Sequence, residues 1–395
     1  MTRLWDKGLP LDERVLRYTA GEDHRLDARL VEYDVRGSSA HARMLAAQGL
    51  ITEEDSEAIC SGLEALNAAF ERGEWQIELA DEDVHTALES RLTANVGEPG
   101  AKLHLGRSRN DQVLTALRLY LSDAADDLGS RIAGLRDAVN GLADAQGEIT
   151  LPGYTHMQQA MPSSVALWCG AFDEAFEDAA AGIESAKRRI RKNPLGSAAG
   201  YGTPGLPLDR EKTTELLGFD STQDPVTAVQ LSRGKAESGL LFEIALLMQD
   251  LGRMASDLLL FYTQEFAYVG LADDVTTGSS IMPQKRNPDV LELVRGASAT
   301  ALACLDETLM ITAKLPSGYQ RDLQRLKPPL FRGIDLCIES VDIMAHLIGS
   351  LEFKADNVRL DDSIFATEEA YRLVVDEGMP FRDAYRLVAK RLAKQ

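Results

Sequence analysis

An all-α fold built on long helices is the expectation, and three observations set it. Hydrophobic residues make up 45% of the chain but aromatics only 6%, and the apolar set is weighted to alanine and leucine, a helical rather than a sheet composition. Over residues 113–145 the apolar positions Leu114, Leu117, Leu121, Leu128, Ile132, Leu135, Val139 and Leu142 recur at threes, fours and sevens. Four further stretches, 165–190, 229–261, 290–311 and 330–347, carry the same period, which predicts five long helices. At about 1.5 Å per residue the first of them is about 50 Å long, which suits an elongated bundle better than a small globular core. Alanine-rich faces, as from Ala175 to Ala181, let helices approach closely and predict that further surface is buried between subunits.

The segment up to about Thr93 has shorter helical periods broken by turns such as Arg72-Gly73-Glu74. Between Asp27 and Leu50, Gly37-Ser38-Ser39 predicts a helix stop and restart. Thr52 followed by Glu53, Glu54 and Asp55 predicts an N-cap with an acidic first turn. The stretch opening Asp81-Glu82-Asp83-Val84-His85 is helical, with His85 and Glu89 four apart. That spacing fits a surface pair as well as a role in a site. At the other end, Gly378-Met379-Pro380 separates two short helical runs of a smaller terminal unit.

The formal charge of −20 over 395 residues argues against nucleic acid or an anionic membrane as partner, since both require a basic footprint. A small anionic substrate stays compatible, because a few local cations can dominate a pocket. No apolar run reads as a secretory signal or a membrane span, so a cytoplasmic enzyme is expected. Cys60, Cys169, Cys304 and Cys337 are scattered among apolar residues and read as buried reduced thiols. The six histidines are dispersed without metal-ligand spacing.

The chemistry is concentrated in the breaks between helices. Gly278-Ser279-Ser280-Ile281-Met282-Pro283-Gln284-Lys285-Arg286-Asn287-Pro288-Asp289 combines backbone freedom, two hydroxyls, two helix-breaking prolines and clustered cationic and amide donors. It reads as a loop able to close over an anion. Lys102 to Gln112 crowds Ser108, Arg109 and Asn110 around a glycine turn ahead of the first long helix, an arrangement that can hold a carboxylate. Between the first two long helices, Thr155-His156 sets a hydroxyl beside an imidazole within a loop bounded by Pro152 and Pro162. The glycine-rich run from Pro194 to Gly205 lacks a following Lys-Ser/Thr and a βαβ context, so it is not read as a phosphate loop. Tyr319, Gln324 and Lys327 share a spacing that fits one helical face, or simply a capped helix start with solvated charges.

Taken together these motifs resemble those of the argininosuccinate lyases of the fumarase/aspartase superfamily. Gln284-Lys285-Arg286-Asn287-Pro288 is similar to the mobile loop of lyases acting on amino-succinyl compounds, and differs from the fumarase and aspartase wording MPGKVNP and MPAKVNP. His104 to Gln112 resembles the family's HxGRSRNDQ element. Gly153-Tyr154-Thr155-His156, the segment from Tyr319 to Lys327, Glu82-Asp83-Val84-His85 and Gly378-Met379-Pro380-Phe381-Arg382 match in order, so the resemblance runs nearly end to end. Two departures stand out. The usual opening element WGGRF reads Leu4-Trp5-Asp6-Lys7-Gly8, and Asp23 replaces the serine usual four residues before Asp27. The resemblance also implies that the last part of the fold is abbreviated.

What the resemblance implies is an all-α subunit of three parts, residues 1–105, 106–350 and 351–395, whose central bundle of five long helices assembles into a homotetramer with active sites shared between subunits. It implies elimination of fumarate from argininosuccinate to leave arginine, a step of arginine biosynthesis needing no cofactor and no metal. The carbon that loses its proton is not acidic, so positioned cations and N–H donors must stabilise the resulting aci-carboxylate. The implied catalytic set is Ser279, His156, Lys285, Thr155 and Asn287. Ser279 would take the proton as an alkoxide and His156 would protonate the leaving nitrogen, although the sequence fits the opposite order too. The implied substrate contacts are Ser108, Arg109, Asn110, Tyr319, Gln324, Lys327, His85, Asp27 and Gln284. A sister lyase acting on another N-succinyl amine, or a non-catalytic crystallin-like homologue, would share the scaffold.

Overall fold

A computed structural model describes residues 12–393. Five long helices dominate these residues: Arg109–Gln146, Val165–Ile190, Lys235–Tyr262, Asp289–Thr312 and Lys327–Gly349. Their bounds follow the apolar periods closely. Leu114, Leu117, Leu121, Leu128, Ile132, Leu135, Val139 and Leu142 are all buried, as a 3.6-residue repeat requires of one helix face. The third helix starts later than the period suggests, because Thr227–Leu231 forms a separate short helix. Between the two, Gly234 adopts a φ of +86°, where a Cβ would lie 2.5 Å from the Thr312 side chain, so the chain turns there on a glycine.

Contacts divide the chain into two compact units whose boundaries fall inside the long helices. The first comprises the residues up to Leu128 with Gly182–Glu243 and Leu302–Asp335; the second comprises Gly129–Ala181, Ile244–Ala301 and the residues from Leu336 onward. In the first unit, helices Val31–Ala47, Glu53–Glu71 and Val84–Val96 pack together. The capping box at Thr52 forms: its hydroxyl accepts from the Asp55 amide at 3.1 Å and the Asp55 carboxylate accepts from the Thr52 amide at 3.1 Å. The expected break at Gly37-Ser38-Ser39 is absent. Val31–Ala47 is one helix, because the Ser38 hydroxyl bonds Asp34 one turn earlier and a Cβ on Gly37 would already touch Thr115 at 3.4 Å. Here a residue pair with weak helix propensity is overridden by packing.

In the second unit the 151–162 connection is not an irregular loop. Thr150–Thr155 and Gln158–Ser164 pair antiparallel, with Thr155 opposite Gln158 and a register shift between Gly153 and Tyr154. Two prolines and the lack of an Asn-Gly pair hid this hairpin from a sequence reading. Trp168 packs edge-on against Phe172 and Phe353 and donates its indole N–H to Asp257 at 3.1 Å. Helices Ala366–Glu377 and Phe381–Leu392 enclose Ala370, Leu373, Ala384 and Val388, with Gly378 left-handed at the intervening cap.

All four cysteines are free and buried. Among the described residues no helix is long and apolar enough to cross a membrane. The opening segment Leu4-Trp5-Asp6-Lys7-Gly8 lies outside the described residues.

Candidate active site

Within the first unit a cleft of about 170 Å³ is lined by Asp23, Asp83, His85, Arg109, Asn110, Val113, Arg233, Tyr319, Arg321, Gln324 and Lys327. Five separate stretches of the sequence build it. The start of the first long helix supplies Arg109 and Asn110, and Val84–Val96 supplies His85 from its first turn. A short tighter helix, Arg321–Leu326, then runs directly into Lys327–Gly349. That junction brings Tyr319, Gln324 and Lys327 to one cleft.

Lys327 is almost fully buried, and its ammonium donates to Asp27 at 2.6 Å and to Asp23 at 3.1 Å. Burial alone would depress its pKa, but Asp27 and Asp23 outweigh that and hold it above the ordinary lysine value. Asp27 is completely buried behind Lys327 and so acts on the cleft through that ammonium. Arg109 is paired with Asp83 and lies 3.5 Å from Glu82. Gln324 donates to the backbone carbonyls of Thr19 and Ala20 at 3.0 and 3.1 Å. Ser108 does not line the cleft; its hydroxyl accepts from the Asn110 amide at 3.3 Å.

His85 pairs with Asp34 at 3.1 Å, while Glu89 is taken up by His104 at 3.0 Å. The surface pair of His85 with Glu89 therefore does not form; His85 is buried and looks inward. Asp34 in turn accepts from Gln112 at 3.0 and 3.2 Å. With Nδ1 committed to a carboxylate, the other ring nitrogen, Nε2, is buried with no hydrogen-bond partner and belongs to a cleft-lining residue. Burial opposes a charged imidazole, but Asp34 raises the pKa of His85 above the ordinary histidine value.

The glycine-rich run after Pro194 has a structural task. The amides of Gly196 and Ala198 donate to one oxygen of Asp111 at 3.0 and 2.7 Å, and the Ser108 amide donates to the other at 2.9 Å. The loop thus cradles an anion supplied by the chain itself, and it fixes the start of the first long helix beside the cleft.

Asp23 is the least comfortable carboxylate. Burial raises its pKa to about 6, Lys327 pulling down and Asp27 and Asp83 pushing up. Because the folded value lies above the unfolded one, the stability linked to Asp23 is full below the unfolded pKa and is lost as pH rises through about 6. Asp23→Asn removes that loss. We expect its melting temperature relative to the parent to rise steadily between about pH 4 and pH 7, as read by thermal unfolding; a constant offset would refute the assignment.

The second unit holds the other expected groups. His156 and Met157 form the two-residue turn of the hairpin, with φ of +52° and +60°, and both are exposed. Side chains other than glycine are strained there, so the imidazole is presented at a hairpin tip by a backbone that costs energy to hold. Thr155 precedes it at the end of its strand. In the loop, Thr277-Gly278 pairs with Arg286-Asn287, and the Asn287 amide donates to the Gly278 carbonyl at 3.3 Å. This closes the segment into a tongue bearing Ser279, Gln284 and Lys285. The Ser279 oxygen accepts from the backbone amides of Ile281 at 3.4 Å and Met282 at 3.1 Å. Two N–H dipoles aimed at one hydroxyl oxygen favour its ionised form. Gln284 and Lys285 are exposed on the tongue.

The family model described as lyase matches residues 12–302. An argininosuccinate lyase of Sorangium cellulosum is 44% identical over 99% of this chain and 91% of its own length. The chain belongs to the argininosuccinate lyase family. A second member, from Thermotoga neapolitana, is 40% identical over 100% of this chain and 99% of its own. Among solved structures, EDDS lyase in complex with formate superimposes with a TM-score of 0.82 at 27% identity, covering 98% of this chain and 77% of that one. A class II fumarase from Schistosoma mansoni, at 18% identity and a TM-score of 0.80 over 96% of this chain and 89% of that one, shares the fold. Family membership accounts for the all-α architecture with long central helices. The polar cleft residues that sequence reading missed are Asp83, Arg233 and Arg321, while Asp23 was noticed only as a departure.

Proposed function

We propose that this chain cleaves the C–N bond of argininosuccinate by elimination, giving arginine and fumarate without a cofactor. Relatives named argininosuccinate lyase, matched over nearly the whole chain, support the reaction. The observation that carries the chemistry is the Ser279 oxygen held by two backbone amides, since a hydroxyl so placed is prepared to become an alkoxide. In this reading Ser279 removes the proton from the carbon beside a carboxylate. Lys285, Asn287 and Thr155 stabilise the aci-carboxylate that forms, and Gln284 helps seat the closed tongue. His156 protonates the departing guanidinium nitrogen, so the proton count closes without metal or redox chemistry. Asp27, His85, Ser108, Arg109, Asn110, Tyr319, Gln324 and Lys327 seat the remainder of the substrate, directly or through their neighbours.

The assembly we infer is a homotetramer with active sites shared between subunits, and the subunit division into residues 1–105, 106–350 and 351–395 belongs to the same reading. Its support is the apolar surface that the long helices leave exposed at Phe242, Leu246, Leu293, Leu309 and Met310. A cytoplasmic location fits the substrate. The direct test follows fumarate absorbance with argininosuccinate and a panel of other N-succinyl amines. Turnover confined to argininosuccinate is expected. Preference for another amine would make this a sister lyase, and no release from any of them would leave a structural homologue.

A further inference from the structure

In a chain of formal charge −20, one recess of the first unit carries the opposite sign. It is a pocket of about 260 Å³ whose walls include Arg118, Arg189, Lys192, Lys235, Ser232 and Gln223, and among the described residues no carboxylate lines it. It shares no residue with the substrate cleft. Arg118 lies on the same helix as Arg109, about 14 Å further along its axis. Its guanidinium is 1% exposed and is fixed from three sides: Nη1 donates to the Lys192 carbonyl and to Gln223 Oε1 at 2.5 Å, and Nη2 donates to Ser232 Oγ at 3.0 Å. All three acceptors are neutral, so they orient the charge without cancelling it. Nε is buried with no hydrogen-bond partner. Burial pulls the pKa of Arg118 down to about 10, against the pull of Glu237, so the group stays cationic at neutral pH. Glu237 also faces Arg233, at 3.9 Å, and one buried carboxylate therefore serves two buried guanidiniums.

The rim repeats the imbalance. Arg189, Lys192 and Lys235 are exposed, and among the described residues none of them is in an ion pair. Carboxylates on the same stretches of chain are committed elsewhere: Glu184 to Lys187 at 2.7 Å, Asp220 to Arg191 at 2.9 Å and Asp224 to Arg210 at 2.8 Å. Glu243 stands in a neighbouring groove of about 720 Å³, which Arg189 and Lys235 also line, and not in this pocket. Arg189, in the last turn of Val165–Ile190, suits the negative end of that helix. Lys235 does the reverse, since it opens helix Lys235–Tyr262 and adds a cation to an end that is already positive. A bound anion would answer the helix end, the rim and the buried guanidinium together. We propose that this pocket is a binding site for a tetrahedral oxyanion of the phosphate class, free or as the phosphoryl end of a small metabolite, with Arg118 at its floor and Arg189, Lys192 and Lys235 at its rim. Cations converging from several directions match an anion with several acceptor oxygens better than a planar monocarboxylate.

The site is independent of the proposed reaction, and the test keeps the two apart. The full-length chain is titrated calorimetrically with inorganic phosphate, sulfate and pyrophosphate at an ionic strength held constant with chloride, and with saturating L-arginine and fumarate to occupy the substrate cleft. Saturable phosphate binding by the parent is expected. Lys192→Gln combined with Lys235→Gln should weaken it about tenfold or more, and both positions are exposed, so folding is spared. Lys187→Gln is the control for general charge: its ammonium already meets Asp126 and Glu184 and does not line the pocket, so binding should stay within about twofold of the parent. Pyrophosphate binding tighter than phosphate supports a metabolite's phosphoryl end as the natural occupant, and phosphate matched by sulfate supports the free ion. No saturable binding by the parent overturns the site, as does an affinity unchanged in the double variant or lost equally in the Lys187→Gln control.

Discussion

Ser279→Ala is expected to lower fumarate release by about 10²–10⁴-fold while substrate binding and assembly stay near those of the parent. The expectation follows from what the hydroxyl touches. Its oxygen is the acceptor for two backbone amides of its own tongue, so the substitution removes an acceptor at an exposed loop and no buried packing. Folding should therefore be almost indifferent to it. The chemical step should not be, because those amides favour the alkoxide that must exist before the proton is taken, and alanine has no oxygen to carry it. Ser280, the exposed neighbour, provides the control: Ser280→Ala should retain most activity. Measuring fumarate release and arginine binding on both variants separates the roles. If Ser279→Ala turned over normally, or Ser280→Ala were the inactive one, the base would have to be sought elsewhere.

The long helices were legible because a 3.6-residue period over twenty or more residues has no competing explanation, and burial of Leu114 through Leu142 reflects that period directly. Local signals with strong chemistry were legible too, as at the Thr52 capping box. What a linear reading could not supply was the outcome of tertiary competition. Gly37 and Ser38 carry weak helix propensity, yet they sit inside an unbroken helix because close packing and a bond to Asp34 offset it. The hairpin presenting His156 escaped notice because its turn uses left-handed histidine and methionine in place of the usual asparagine and glycine.

The site shows the same division. Residues in dense polar motifs, such as Arg109, Asn110, Gln324 and Lys327, could be picked out, but their partners could not. Asp23 opens a four-residue helix and Arg233 sits in a turn between two helices, and only the fold reveals that one shares Lys327 and that the nearest carboxylate to the other, Glu237, stands 3.9 Å away. One local signal did exist for Arg233: it stands between Ser232 and a glycine with φ of +86°, a charged side chain at a turn that interrupts an apolar period. His85 illustrates the reverse error, since its i, i+4 spacing to Glu89 suggested a pair that burial beside Asp34 prevents.

Lys327→Met should produce the largest loss of stability among the cleft variants, of about 3–5 kcal/mol near neutral pH. Methionine keeps much of the volume and the apolar stem, so cavity formation is minor and the electrostatic loss dominates. Two carboxylates then share a buried site with no cation, and Asp27, with no exposed surface, cannot recover hydration. The sign of the pH dependence is fixed by those same groups. In the parent, the elevated pKa of Lys327 means that its stabilisation is complete below the unfolded lysine value and is lost only as pH rises through the higher folded one, so neutral solutions retain it fully. In the variant, removal of the ammonium takes away the main influence that lowers Asp23, whose pKa burial has already raised to about 6. Asp23 should then be neutral to higher pH, and acidification should return part of the lost stability by discharging it. Denaturant unfolding at about pH 5 and about pH 8 should show the variant's deficit shrinking at the lower pH, and a deficit equal at both would mean that packing around Lys327, rather than the charge it neutralises, holds this end of the cleft together.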